Sequence, residues 1–144
     1  MKTYLCALAA AAIPFAVSAD GTTLVDTGKL ASKEVYGAAQ MTPLAVRADG
    51  VPAVAFLDVA EGSVVPPHAT KADLRILTVV SGTLHWGDGT QVDETKEVIY
   101  PQGSVLTVPA GVDHWLAARS GPIRLQMVVV DDETPAPSLE AQIN

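Results

Sequence analysis

Short runs rich in β-branched residues, each ended by Gly, Pro or Asp, fill most of the chain beyond its first twenty residues. These runs show almost no helical period, and glycine in the turns between them tolerates the positive φ that hairpins require. Many short strands at close spacing predict a β-sandwich or β-barrel, with a helical turn expected only in Leu30–Ala39. The predicted strands are Met41–Arg47, Pro52–Val59, Leu74–Val80, Thr83–Trp86, Val98–Tyr100, Val105–Val108, His114–Ala118 and Ile123–Val130.

The N-terminus has the three regions of a secretory signal peptide. Lys2 gives a positive start, Tyr4–Val17 is almost wholly apolar, and Val17-Ser18-Ala19 is a small-residue cleavage pattern. The apolar stretch has about 14 residues and contains Pro14, whereas a membrane-spanning helix needs about 20. We therefore predict cleavage after this pattern and export to the periplasm or the extracellular space, with no membrane attachment afterwards.

The exported part of the chain is acidic and has no cysteine. Cys6 lies in the signal segment, so no thiol, disulfide or cysteine nucleophile is expected after cleavage. Removing Lys2 from the 9 basic residues leaves 8 against 16 acidic ones, a net charge of about −8. Such a surface repels phosphate backbones and anionic membranes, so nucleic acid is not an expected partner.

Two segments hold two of the three histidines in a framework of spaced glycines and prolines. They read GSVVPPHATKADLRILTVVSG over residues 62–82 and GSVLTVPAGVDHWLAA over residues 103–118. Proline-containing corners precede His68 and His114. The spaced positions are Gly62, His68, Thr70, Arg75 and Gly82 in the first segment, and Gly103, Pro109, Gly111, His114 and Ala118 in the second.

These segments resemble the two signature motifs of the cupin superfamily, G-x5-H-x-H-x4-E-x6-G and G-x5-P-x-G-x2-H-x3-N. The stretch Ala72–Gly89 is similar in particular to small, exported, single-domain cupins of bacteria. The resemblance implies an all-β fold, the double-stranded β-helix or jelly roll, with a pocket in the barrel mouth and a homodimeric assembly. It divides the chain into a signal peptide (1–19), an N-terminal extension (20–40), a cupin domain (41–130) and an acidic, proline-containing tail (131–144).

The chain departs from the cupin motifs at two of the four metal-ligand positions. The resemblance implies that His68 and His114 remain as ligands, whereas Thr70 and Arg75 replace the second histidine and the glutamate. A neutral hydroxyl is a poor ligand for a divalent ion, and a guanidinium would place a fixed positive charge beside it. The residues therefore argue against the standard centre; any bound metal would be one divalent Fe, Mn, Ni, Cu or Zn ion.

Asp73 is the carboxylate that could replace the missing ligand. Side chains two apart on a strand share a face, so Asp73 would point into the barrel if Arg75 does. The chain could then hold a metal with His68, His114 and Asp73. The same residues also allow an Asp73–Arg75 pair on one face of the strand, or a position for Asp73 in the loop before the strand.

An inward Arg75 would give the pocket a different function. A guanidinium near two imidazoles in a partly apolar cup suits a carboxylate or another anion. Strand alternation turns His85 outward as a structural residue, and it turns Trp115 away from the pocket, toward the outer sheet surface or a dimer partner. The predicted ligand-binding residues are His68, Thr70, Arg75, Trp86 and His114, with Trp86 as core or pocket wall.

We therefore predict an exported cupin-domain protein that binds a small molecule in its barrel pocket without the standard metal centre. The molecule is an anion if Arg75 is not neutralised. The competing hypothesis is a metal-dependent oxygenase, isomerase or lyase that uses His68, His114 and Asp73. The binding function is preferred because both departures remove ligands and one adds a cation. The fold alone does not decide between them, and no catalytic residue is assigned.

Overall fold

The computed structural model describes residues 21–131, so the predicted signal peptide and all but the first residue of the predicted tail lie outside the described residues. Short 3-10 turns occur at Thr27–Lys29 and Glu94–Lys96. Across residues 21–131 no helix is long and apolar enough to cross a membrane. The strands are β1 (Lys33–Val35), β2 (Ala39–Val46), β3 (Pro52–Val59), β4 (Val64–His68), β5 (Leu74–Ser81), β6 (Leu84–Asp88), β7 (Val98–Tyr100), β8 (Val105–Val108), β9 (His114–Ala117) and β10 (Ile123–Val130).

The strands form two antiparallel sheets. The larger sheet has the order β1-β2-β3-β10-β5-β8, and the smaller has the order β4-β9-β6-β7. Neighbours in each sheet are mostly distant in sequence, for example β10 between β3 and β5. This is the jelly-roll arrangement that the resemblance implies, and it brings the two motif segments into contact across the smaller sheet through β4 and β9.

The hydrophobic core lies between the two sheets because alternate residues of each strand point inward. Leu77 and Val79 of β5 and Leu125 of β10 come from the larger sheet, while Leu84 and Leu116 come from the smaller one. All five are at most 5% exposed. Three of them, Leu77, Leu116 and Leu125, also line a cavity between the sheets, which is described below.

Gly82 fixes the turn between β5 and β6. Its φ of +82° is one that side-chain-bearing residues rarely adopt, and a Cβ there would lie 2.4 Å from the carbonyl oxygen of Pro122. Gly82, the last glycine of the first motif, is therefore required both by the turn and by the close approach of the Pro122 backbone.

Strand β4 was not predicted, because its sequence contains Pro66-Pro67. It is an edge strand of the smaller sheet, where a residue without an N–H group can be tolerated on the open side. The register with β9 shifts between Val65 and His68, which is where the two prolines lie. The corner predicted from these prolines is thus an irregular edge strand that ends at His68.

The expectation of a helical turn in Leu30–Ala39 was wrong. Lys33–Val35 forms β1, which pairs with β2 at the edge of the larger sheet. The single helical turn in this region precedes it, at Thr27–Lys29, with the Asp26 carboxylate accepting a hydrogen bond from the Gly28 N–H group. Part of the segment predicted as an N-terminal extension, residues 20–40, therefore adds a strand to the barrel.

Candidate functional site

A cavity of about 220 Å³ lies between the two sheets. Its wall is mostly aliphatic and includes Leu57, Val59 and Leu125 from the larger sheet. The side chains with polar groups in this wall are Tyr36, His68, Thr70, Arg75 and His114. Four of the five residues predicted to bind a ligand thus lie around one cavity.

His68 and His114 face each other as direct neighbours of the β4–β9 pair. Their ring centroids are 4.4 Å apart, with an angle of 59° between the ring planes. The Nδ1 atom of His68 lies 2.8 Å from the Pro66 carbonyl oxygen, and that of His114 lies 2.9 Å from the Val112 carbonyl oxygen. A carbonyl oxygen only accepts, so each Nδ1 donates, and in the neutral form each Nε2 is left as an acceptor.

Burial keeps His114 in that neutral form. The residue is 4% exposed, and loss of hydration lowers the pKa of its imidazole below the ordinary value of 6.5. The hydrogen bond to Val112 opposes this shift, while the neighbouring His68 adds to it. At neutral pH the buried end of the histidine pair therefore carries no charge.

The two imidazoles belong to a row of stacked rings. Tyr36 stacks on His68 with centroids 4.0 Å apart, and Trp86 stacks on His114 at 4.7 Å with nearly parallel planes. Tyr36 is half-exposed and has a φ of +57°, in the turn between β1 and β2. No motif or periodicity of the sequence identified Tyr36, because the β1–β2 hairpin that positions it was not predicted.

Trp86, which was included among the ligand-binding residues as core or pocket wall, lies in the core. Trp86 is 5% exposed and belongs to the hydrophobic core, and it is not part of the wall of this cavity. Its Nε1 donates to the Asp88 carboxylate at 2.9 Å, which satisfies the only polar atom of the ring. Trp86 therefore supports the His114 ring from the core instead of contacting the cavity.

Thr70 contributes a hydroxyl group without a hydrogen-bond partner. Its Oγ1 is buried, and no partner for it occurs within residues 21–131. Its backbone carbonyl accepts from the Gly111 N–H group at 2.8 Å, which ties the loop after β4 to the loop before β9. A buried hydroxyl that is left unpaired is unfavourable, and this one belongs to a residue that lines the cavity.

Arg75 brings a positive charge to the cavity wall. It pairs with Val108 and Val129 of the neighbouring strands, and it lies two residues before Leu77, which lines the same cavity. Its Nη1 donates to the carbonyl oxygens of Ala72 at 2.9 Å and Asp73 at 3.4 Å. In the described part of the chain Arg75 forms no ion pair with a carboxylate.

The structure does not bring Asp73 into a metal site, so that hypothesis is corrected. Asp73 precedes β5 with a φ of +67°, so strand alternation does not apply to it. Its Oδ2 accepts from Nη1 of Arg47 at 3.1 Å, and it is absent from the cavity wall. Among residues 21–131 the Asp73 carboxylate forms no ion pair with Arg75, and Asp73 lies in the loop before β5, which is the other alternative.

His85 and Trp115 lie on the outer face of the smaller sheet, as alternation predicted. His85 Nδ1 contacts Oε2 of Glu97 at 2.9 Å, and Glu97 also binds Arg119. The Arg119 guanidinium, through its hydrogen bond, holds the pKa of the Glu97 carboxyl below its usual value. Trp115 is only 1% exposed and packs across Gly87, so residues of the same chain already cover it.

The residues around the cavity do not fit the standard cupin metal centre. The two imidazoles have suitably oriented free Nε2 atoms, since a backbone carbonyl fixes each ring in the manner common for metal ligands. In residues 21–131, however, no group of three or more His, Cys, Asp or Glu side chains is placed to hold a metal ion. The guanidinium of Arg75 in the same wall adds a fixed positive charge that would repel a cation.

Two facing antiparallel sheets with a cavity between them define a jelly-roll barrel. The cupin family model matches residues 49–141, which is more than half of the chain. The chain therefore belongs to the cupin family, which confirms the resemblance found in the motifs. Comparison with curated protein sequences finds no match.

Several solved structures are similar in fold. A Thermotoga maritima protein described as a predicted oxalate decarboxylase is 16% identical with a TM-score of 0.61, over 75% of this chain and 98% of that chain. The polyketide cyclase RemF from Streptomyces resistomycificus is 15% identical with a TM-score of 0.60, over 84% and 90%. The Drosophila melanogaster CENP-C cupin domain is 12% identical with a TM-score of 0.57, over 72% and 77%. At such identities the similarity shows the fold alone.

Proposed function

We propose that this cupin binds a small organic anion in the cavity between its sheets, without the standard cupin metal centre. The observation that carries the proposal is the position of Arg75 in a mostly aliphatic cavity wall, where its guanidinium has, among residues 21–131, hydrogen bonds to two carbonyl oxygens only. A guanidinium has five N–H donors in a planar fork, and both contacts use Nη1, so its other nitrogen atoms are available to a carboxylate.

The surroundings of Arg75 favour an anion over water or a cation. Aliphatic side chains lower the local dielectric, which strengthens a charge-assisted hydrogen bond relative to the same bond in water. Asp73, the nearest carboxylate in sequence, is paired with Arg47 and so does not neutralise Arg75. The histidine pair adds polar contacts to the site.

The metal-dependent enzyme considered from the sequence is not retained, because its third ligand, Asp73, lies elsewhere. The fold itself accommodates unrelated functions and does not decide the matter. The signal-peptide pattern of residues 1–19 supports placing the binding function in the periplasm or the extracellular space. A homodimer is part of the proposal and is tested by light scattering of the mature protein.

The test is a thermal-shift and calorimetric screen of the mature protein, residues 20–144, with matched pairs of acids and amides, for example benzoate and benzamide. We expect acids to raise the melting temperature and to bind at least about 10-fold more tightly than their amides, the smallest effect expected of a hydrogen bond to a charged group. Equal binding of acid and amide, or binding of neither across the screen, contradicts the proposal.

A further inference from the structure

We propose that the ligand is a hydroxylated carboxylic acid with an apolar body: its carboxylate binds Arg75, and its hydroxyl group binds the histidine pair and Thr70. This inference rests on the proposed function and adds the second polar group of the ligand and the size of its body. It is carried by the hydrogen-bonding capacity of three side chains in the cavity wall.

The histidine pair offers acceptors to the ligand. Each Nδ1 of His68 and His114 donates to a backbone carbonyl, so each neutral ring has only its Nε2 lone pair left for another molecule. A ligand atom that binds these nitrogens must therefore carry a hydrogen. A carboxylate, an ether or a ketone oxygen has none, whereas a hydroxyl group does.

Thr70 offers a hydroxyl group that lacks a partner. Thr70 is one of the residues that line the same cavity, and its buried Oγ1 can donate as well as accept. A ligand hydroxyl can accept from Thr70 while it donates to the Nε2 atom of one imidazole, which satisfies Thr70 and one histidine of the pair. An amine could also donate to the imidazoles, but an ammonium group would be repelled by the fixed charge of Arg75.

The size of the cavity limits the apolar body. An engineered apolar cavity of about 150 Å³ holds one benzene molecule. The cavity here, at about 220 Å³, therefore accommodates a six-membered ring or an equivalent aliphatic body with one or two short polar substituents. Its aliphatic wall, including Leu57, Val59 and Met127, offers no partners for the many hydroxyl groups of a sugar.

The same argument disfavours a dicarboxylic acid. Its second carboxylate would face two imidazole lone pairs, with Thr70 as the only donor among the three groups. Deprotonated oxygens opposite acceptor nitrogens repel each other and lose hydration without compensation. A monoacid with a hydroxyl group should therefore bind more tightly than the diacid of the same size.

The experiment is calorimetric titration of the mature protein at pH 7.5 with 2-, 3- and 4-hydroxybenzoate, benzoate, phenol and terephthalate. The three isomers vary the distance between the two polar groups. We expect at least one hydroxybenzoate to bind about 10-fold or more tightly than benzoate, and terephthalate to bind more weakly than benzoate. Phenol should bind least tightly if Arg75 contributes as proposed.

Two variants test whether Thr70 causes the preference for a hydroxybenzoate over benzoate. Thr70→Val should reduce the preference for the best hydroxybenzoate over benzoate by about 2- to 12-fold, the effect of one neutral hydrogen bond. Thr70→Ser should retain the preference, and melting curves confirm that both variants fold.

The outcomes separate this inference from the function on which it rests. If benzoate and all three hydroxybenzoates bind equally, or if terephthalate binds most tightly, the hydroxyl assignment is wrong while anion binding stands. If phenol binds as tightly as the acids, or if no compound binds, the proposed anion-binding function fails as well.

Discussion

Replacing Thr70 by valine should make the free protein more stable. Valine has nearly the shape of threonine and removes only the Oγ1 hydroxyl, which is buried without a partner. A buried, unpaired polar group costs about 1–3 kcal/mol relative to its hydrated state. The backbone contact between Thr70 and Gly111 does not involve the side chain and should persist.

We expect the free energy of unfolding to rise by about 1 kcal/mol, the lower end of that range. For a domain of this size such a gain corresponds to about 3–6 °C in melting temperature. Urea denaturation at pH 7.5 measures the change, and an unchanged dependence on denaturant confirms that the same surface is exposed on unfolding.

Thr107→Val is the matched control, because Thr107 is exposed on strand β8. It should change the free energy of unfolding by less than about 0.5 kcal/mol. A Thr70→Val variant that is less stable than the parent protein would show that the hydroxyl group is satisfied. An equal gain in both variants would show that the effect is a general one of replacing threonine by valine and not one of the cavity.

Three further predictions concern the packing, the pH dependence and the metal positions. Gly87→Ala should destabilise the protein by about 1–3 kcal/mol or more in urea denaturation, because the alanine Cβ would lie 2.2 Å from the Trp115 ring. A loss below about 0.5 kcal/mol would contradict the packing of Trp115 across Gly87. Because the pKa of buried His114 is lowered, the unfolded chain binds more protons than the folded one below pH 6.5, so stability should fall as the pH decreases from 7 toward 5. His114→Gln should flatten this dependence, and an unchanged slope would refute the assignment. A Thr70→His, Arg75→Glu double variant should bind one divalent metal ion per chain in metal analysis, and failure to do so would contradict the alignment of these residues with the motif.

The strand pattern was predictable because it follows from local chemistry. Inward apolar residues and glycine turns identified most of β3, β5 and β10, and β3 and β10 agree with the predicted bounds to the residue. Strand β4 was missed because its prolines are incompatible with a central strand, and only the topology shows that it is an edge. Strand β1 was missed because its three residues carry no detectable period.

The candidate site was predictable where it depended on motif spacing and not where it depended on backbone conformation. The spacing predicted that His68 and His114 lie side by side, which they do. Strand alternation misplaced Asp73, because a left-handed backbone conformation precedes β5. Trp86 faces inward as expected, but the His114 ring is stacked against it and separates it from the cavity. Strand periodicity predicts which face a side chain occupies and does not predict whether it reaches the cavity.

The central claim is that Arg75 makes this cupin cavity an anion site, and the affinity for benzoate tests it most directly. Calorimetric titration at pH 7.5 should show that Arg75→Gln weakens benzoate binding by about 10- to 150-fold, as expected for a hydrogen bond to a charged group. Lys96→Gln removes the same charge from a side chain that is 78% exposed, and it should leave the affinity within about twofold. An Arg75→Gln variant that binds benzoate as tightly as the parent protein would contradict the account.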